Sequence, residues 1–475
     1  MKYTLPRIRA RRTRVEYDRE FLDELLKTAL SKGGDEAEVF LENSSITSIR
    51  ADDRRIRGIQ QGIYAGAGIR IITGTNYLYV YTSNPDIPRL RELALGAAEA
   101  VRIGRRGSAA PLGDLLQDSL HAPQMDPSGI PLEDKTALLL RADHSAREYS
   151  PLIHDVMVNY GDWDQGVTIA RSDGTYCQDR RVRTRFSVTA EAQQGERREN
   201  GSWNPGLAMG SEFFDLIPPE TVAREAARSA CALMDADYAP QGSMPVVLAH
   251  EFGGVIFHEA CGHALESTST AKGVSPFSEK MGKRIASAKV SAFDDGTMDH
   301  GWGSSAFDDE GVKTSRTRLI HRGKLESFMV DRIGSRQLDH PLTGNGRRAS
   351  YRFPPASRMT NTFIQPGKKT PEEIIASVER GLYCRKMGGG SVNTATTEFN
   401  FAVHEAYLII DGKIDRPIRG ASLIGTGRDV LRRIEEVGND LELGAGMCGS
   451  VSGSLPAAVG QPTLLVSSLV VGGRS

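Results

Sequence analysis

The stretch Phe257-His258-Glu259-Ala260-Cys261-Gly262-His263 decides how this chain is read, and the apolar run at 244–248 leads into it. A His-Glu pair with a second His five places after the first supplies two imidazoles and a carboxylate, the donors of a water-activating metal site. Residues 252–266 fit a helix whose apolar side is Phe252, Val255, Ile256, Ala260, Ala264 and Leu265. In the His-Glu-x-x-His arrangement the two His stand four apart, about 40° around the axis, and face one ion. The offset here is five, which on a regular α-helix separates the rings by about 140°. A single wide turn, with its backbone hydrogen bond running from i to i+5, brings such positions back near register. Gly262, just before the second His, is where that distortion or a helix end is expected. The same spacing also fits a structural pair, one His capping the helix and one packed. The nearby His250-Glu251 has Val255 where a second His is needed, so a local structural role is expected for it.

A catalytic zinc ion keeps three protein ligands and one open position. Two cysteines are candidates for the third ligand. Cys261 lies within the motif among apolar neighbours, where a small buried residue is the plain expectation. Cys448 lies in Gly444-Ala445-Gly446-Met447-Cys448-Gly449, whose small residues permit close backbone approach and an unusual turn.

Working outward, the 475 residues exceed one ordinary core and predict two or three domains. Helical spacing marks residues 18–31, closed by Gly33-Gly34, and short alternating runs follow at 37–41, 45–50, 54–60, 68–72 and 77–81. Helices are expected at 90–101, 134–147 and 218–234, a linker between 104 and 134, and antiparallel strands at 153–160, 166–171 and 182–192. Residues 267–275, polar and Gly-containing, read as a mobile loop. From residue 314 onward strands dominate, with a hairpin turn at Asp411-Gly412, helices at 371–380 and 427–437, and buried strands at 455–471. The fold class is therefore α+β. An N-terminal helix-plus-antiparallel-sheet domain is expected over 1–215, and a strand-rich C-terminal domain carrying the metal-binding helix over 216–475.

Lys and Arg total 59 against 60 Asp and Glu, so bulk charge supports neither nucleic-acid nor acidic-membrane binding. The Arg-rich opening at 7–14, expected as a solvated arm, and Arg105-Arg106 are local exceptions. Five scattered cysteines argue against a disulfide framework. No signal-peptide core or membrane-length apolar span is evident, so a cytoplasmic location is expected.

Several blocks beyond the helix motif, in one order, resemble the TldD/PmbA family, the TldD-type metalloproteases once called modulators of DNA gyrase. They are His258-Glu259-x-x-x-His263 with Leu265-Glu266, Phe307-Asp308-Asp309-Glu310-Gly311, Thr343-Gly344-Asn345-Gly346-Arg347-Arg348, Arg358-Met359-Thr360-Asn361-Thr362, and Cys448-Gly449 with Gly460-Gln461-Pro462-Thr463. The N-terminal likeness is looser, carried by Asp35-Glu36-Ala37-Glu38 and Gly66-Ala67-Gly68-Ile69-Arg70. The resemblance implies that His258, His263 and Cys448 bind Zn2+, and that Glu259 polarises the bound water and shuttles its proton. It also implies a peptidase acting on unfolded or modified peptides, and a dimer with a PmbA-type subunit or with itself. PmbA-type subunits lack the His-Glu-x-x-x-His motif, so this chain would be the catalytic member. The run Ser450-Val451-Ser452-Gly453-Ser454 departs from the Lys- and Gln-containing segment usual there. The alternative is a non-catalytic scaffold or peptide-presenting subunit with a structural metal. Arg347-Arg348 is expected to contact the substrate or an oxyanion or to brace a loop, and 308–310 to form a solvated turn rather than a second metal site.

Overall fold

The computed structural model describes residues 17–101, 107–393 and 395–473, so the Arg-rich stretch at 7–14 and Arg105-Arg106 lie outside the described residues. The N-terminal sheet runs in the order Asn76–Thr82, Arg55–Thr73, Glu36–Asp52, Ile153–Arg171, Tyr176–Gln194, Leu116–Asp118, and Arg197–Trp203 and Gly206–Leu207 also pair with Tyr176–Gln194. Its central strands are longer than their sequence pattern suggested. The runs at 37–41 and 45–50 fuse into one strand, and the gap at 161–165 between two expected strands lies inside Ile153–Arg171. The turn between the first two long strands uses Asp53 and Arg54, both at positive φ (48° and 61°), the geometry of a tight two-residue hairpin.

Period-2 alternation gives this sheet two unlike faces. Val39, Leu41, Ile69 and Ile71 pack beneath helices Arg19–Ala29 and Ile87–Ala100. Further along, Val156, Val188 and Ala190 pack beneath Leu132–Tyr149 and Pro219–Met234. The opposite face is buried too, although it carries Glu38, Glu42, Arg70, Arg171, Arg181 and Arg183.

That charged face meets the C-terminal half. Arg70 Nη2 donates to Glu38 Oε2 at 2.7 Å and to Glu310 Oε1 at 2.5 Å. Arg181 donates to Asp179 at 2.9 Å and Asp309 at 2.6 Å, and Arg348 pairs with Glu38. Residues 308–310 are therefore not the solvated turn expected: Asp308, Asp309 and Glu310 are buried within an ionic layer between the halves. Burial opposes ionisation of Glu38, but Arg70, Arg348 and Arg171 together hold its carboxyl at about 2. Burial and the neighbouring Glu310 push Asp308 the other way, well above the usual carboxylate range. Arg347 and Arg348 both brace: Arg347 donates to the carbonyls of Met359 and Pro456, and Arg348 to that of Asp309.

The C-terminal half holds two further large sheets. One runs Arg380–Val392, Gly242–Leu248, Leu464–Gly472, Ser422–Thr426, Glu398–Ile410, and the pairing of Arg380–Val392 with Glu398–Ile410 closes these five strands into a ring. The turn Asp411-Gly412, at φ 51° and 70°, forms the expected hairpin with Ile410 opposite Lys413. The other sheet ends in Asn361–Ile364, Gly453–Gln461 and, at its edge, Glu442–Ser450. Helices layered on mostly antiparallel sheets make the molecule α+β, as the sequence pattern indicated. The stretch expected as a mobile loop instead opens with helix Ser267–Thr270, where Ser267 Oγ donates to the buried Asp331 at 2.9 Å. Among the described residues, no helix is long and apolar enough to cross a membrane.

Candidate metal centre

The buried strand Gly242–Leu248 delivers the chain into residues 251–265, which are helical but not uniformly so. A 3-10 turn, Glu251–Gly254, and one α-turn, Val255–Phe257, precede a π-turn at His258–Gly262, and a second 3-10 turn, His263–Leu265, ends the segment. The backbone N–H of His263 reaches the carbonyl of His258, which is the i to i+5 bond that the five-residue offset demands. The turn is tightly seated. A Cβ on Gly254 would lie 2.6 Å from the Gly460 backbone, one on Gly262 2.3 Å from Met359 Sδ, and one on Gly427 2.2 Å from the Ala260 carbonyl.

This wide turn brings the two imidazoles together, with ring centroids 5.2 Å apart and planes at 85°. Cys448, on the edge strand Glu442–Ser450, faces both: its Sγ is 3.3 Å from His258 Nε2 and 3.2 Å from His263 Nε2. The three donor atoms all lie within 4.8 Å of one another. Cys261 is elsewhere, fully buried in the apolar core, and burial pushes its thiol up.

The donors fit a zinc ion. With Zn–N of about 2.0–2.1 Å and Zn–S of about 2.3 Å, tetrahedral ligands touch at roughly the separations seen here. The tautomer of His263 is also set for coordination. Its Nδ1 lies 3.2 Å from Glu266 Oε2, and a carboxylate only accepts, so Nδ1 carries a proton and Nε2, facing Cys448, is the atom at which a metal would replace the second proton. Burial disfavours the charged ring, yet Glu266 and Cys448 outweigh it and lift His263 to about 11. The position thus stabilises a cation, whether proton or metal. His258, buried beside His263 and Arg358, is pushed the opposite way, toward the neutral form that coordination would require.

Glu259 stands at the open side, its side chain 31% exposed and Oε2 3.7 Å from His263 Nε2. Burial raises its carboxyl pKa, His263 opposing, which brings it toward the range useful to a general base. The decoy pair takes the local role expected, with Glu251 accepting from the Trp203 indole at 3.2 Å.

Two supporting residues escaped the reading of the sequence as a site. Glu266 orients His263, and buried Arg358 donates to the Cys448 carbonyl. For Glu266 a signal was present, since a carboxylate three places after a His shares its helix face. Replacing Glu266 by Ala should weaken zinc affinity about 10–100-fold, read by competition with a chromophoric chelator. Unchanged affinity would remove it from any positioning role.

Family models for the PmbA/TldA metallopeptidase match over most of the chain: domain 1 at residues 37–103, the central domain at 126–234 and the C-terminal domain at 241–473. A metalloprotease TldD homolog from Haemophilus influenzae is 33% identical over 93% of each chain. A zinc metalloprotease TldD homolog from Saccharolobus solfataricus is 34% identical over 49% of this chain and 52% of its own length. The crystal structure of TldE from Thermococcus kodakarensis superposes with a TM-score of 0.77 at 17% identity, covering 95% of this chain and 100% of that one.

Proposed function

Because the chain belongs to the PmbA/TldD metallopeptidase family, we propose that it is a zinc-dependent peptidase, with His258, His263 and Cys448 as metal ligands and Glu259 as general base. The observation that carries this reading is the convergence of two Nε2 atoms and one Sγ within 4.8 Å, beside a partly exposed carboxylate. Two imidazoles and a thiolate suit zinc among the common divalent ions, and the S. solfataricus relative bears that metal in its name. Bound there, the ion supplies Lewis acidity, polarising a carbonyl and lowering the pKa of water to about 7.

The chain's own residues do the rest. Glu259 takes a proton from the attacking water and returns it to the departing amine. Glu266 holds His263 in one tautomer and orientation, and Arg358 anchors the Cys448 backbone. Cys448 lies on the edge strand Glu442–Ser450, so an extended peptide can add to that edge through main-chain hydrogen bonds. Such binding favours unfolded or modified peptides, because it asks for an extended backbone more than for one sequence. A dimer with a PmbA-type subunit or a second copy belongs to the same proposal, as does a cytoplasmic location, which suits five free cysteines.

Chelation tests the reading. The ligand segments are also held by Gly254, Gly427 and Arg358 contacts, so removing the ion should abolish hydrolysis of an unfolded casein substrate while circular dichroism stays native. Restoration by one equivalent of Zn2+ is expected. Persistent hydrolysis would overturn the proposal, and collapse of the fold on chelation would favour the scaffold with a structural metal.

A further inference from the structure

Between the N-terminal sheet and the hairpin formed by Glu442–Ser450 and Gly453–Gln461 lies a cavity of about 180 Å³. Trp163 and Trp302 form one wall, packed edge to face with centroids 5.7 Å apart, and Met447, the residue before Cys448, forms part of another. Four guanidiniums line it: Arg181, Arg183, Arg347 and Arg348.

These four are not equivalent. Arg181 is neutralised by Asp179 and Asp309, and Arg348 by Glu38. Arg183 and Arg347 have no such partner. Arg183, 5% exposed, donates from Nε to the Trp302 carbonyl at 2.8 Å and from Nη2 to the Ser304 carbonyl at 2.9 Å, and its Nη1 makes no hydrogen bond among the described residues. Arg347, also 5% exposed, donates only to the carbonyls of Met359 and Pro456. Carbonyl dipoles orient these cations but do not cancel their charge. A buried cation without a direct counter-charge is costly. Burial, with Asp309 opposing it and neighbouring guanidiniums adding to it, depresses both, Arg183 to about 9 and Arg347 to about 10. Asp164 and Asp309 also line the cavity, but Asp164 pairs with Arg180 and Asp309 with Arg181. Arg183 and Arg347, which make no ion pair of their own among the described residues, thus stand apart from the structural layer, where buried arginines meet carboxylates directly.

We propose that this cavity is a carboxylate-recognition subsite for the peptide substrate, filled by an acidic side chain or by the substrate's C-terminal carboxylate. The inference rests on the peptidase reading. A peptide laid along the edge strand beside Cys448 passes Met447, whose side chain lies at the cavity, and a guanidinium fork is the group best shaped to accept a carboxylate. The two sources share one chemistry and differ only in where the carboxylate sits on the chain.

The test is a binding titration on the zinc-loaded Glu259→Gln protein, followed by tryptophan fluorescence, since two of the chain's three Trp line the cavity. Three alanine-based hexapeptides differ in one feature each: a central Asp with an amidated C-terminus, a central Asn with an amidated C-terminus, and a central Asn with a free C-terminal carboxylate. At least tenfold tighter binding of the first peptide over the second identifies an acidic side chain, and the same advantage of the third identifies the chain terminus. Either advantage should disappear in Arg183→Met. If that variant fails to fold, Arg183→Lys keeps the charge without the fork and should lose most of it. Equal affinity for all three peptides, or an advantage that survives both substitutions, overturns the proposal. Failure of the peptidase reading would appear separately, as hydrolysis that persists through chelation.

Discussion

Replacing Glu259 by Gln lowers peptide hydrolysis by about 10²–10⁴-fold, the range that a positioned general base contributes, while zinc content and the folded spectrum stay as they are. The argument is local. Glu259 lies inside the π-turn, but its carboxylate is not one of the three converging donors, so an isosteric amide leaves them in place. What is lost is the ability to accept a proton. Its Oε2 lies 3.7 Å from His263 Nε2, close enough to share the space where that proton must move. Metal analysis and a cleavage assay on one purified sample decide the matter. Full hydrolysis by the Gln variant would sink the general-base role, and loss of zinc together with activity would recast Glu259 as part of the metal's own surroundings.

The second large effect concerns the ionic layer. Arg70→Met should destabilise the fold by about 3–5 kcal/mol, the range for breaking a buried ion pair by removing one partner. Arg70 is fully buried and bridges Glu38 of the N-terminal sheet to Glu310 of the C-terminal half. Without it Glu38 keeps Arg171 and Arg348, but Glu310 Oε1 loses its cation. Because two cores share the junction, unfolding need not be two-state, and the first denaturant transition is the quantity to follow. A midpoint equal to that of the native chain would show that the layer adds no cohesion.

Much of the candidate site's backbone geometry was legible in residue order. An offset of five between His258 and His263 is incompatible with one ion on a regular helix, and that arithmetic points to the wide turn found at His258–Gly262. Choosing Cys448 over Cys261 was different. Neighbouring residues favoured Cys448 without excluding Cys261, and the resemblance strengthened that preference, but its place across a sheet is something local spacing cannot reveal. The α+β class followed from alternation and helical period. The strand lengths did not, because the gap left at 161–165 between two expected strands, opening on Gly161, sits in one paired strand. Residues 308–310 read as solvated because three acids in a row usually are. Their counter-charges come from positions as remote as Arg70, 240 residues away. Ser267 and Thr270 misled in the same manner, being small polar groups buried by hydrogen bonds that only the folded chain supplies.

The separation between the donors has a consequence for timing. His258 and His263 precede Cys448 by 190 and 185 residues. At a translation rate of about 5–20 residues per second, the ribosome holds both imidazoles for roughly 10–40 s before the thiol is made. During that interval the emerging polypeptide, itself an unfolded substrate of the kind proposed, carries an incomplete centre. The order of synthesis would thus guard a newborn protease against digesting itself and its neighbours, with no propeptide needed for that interval.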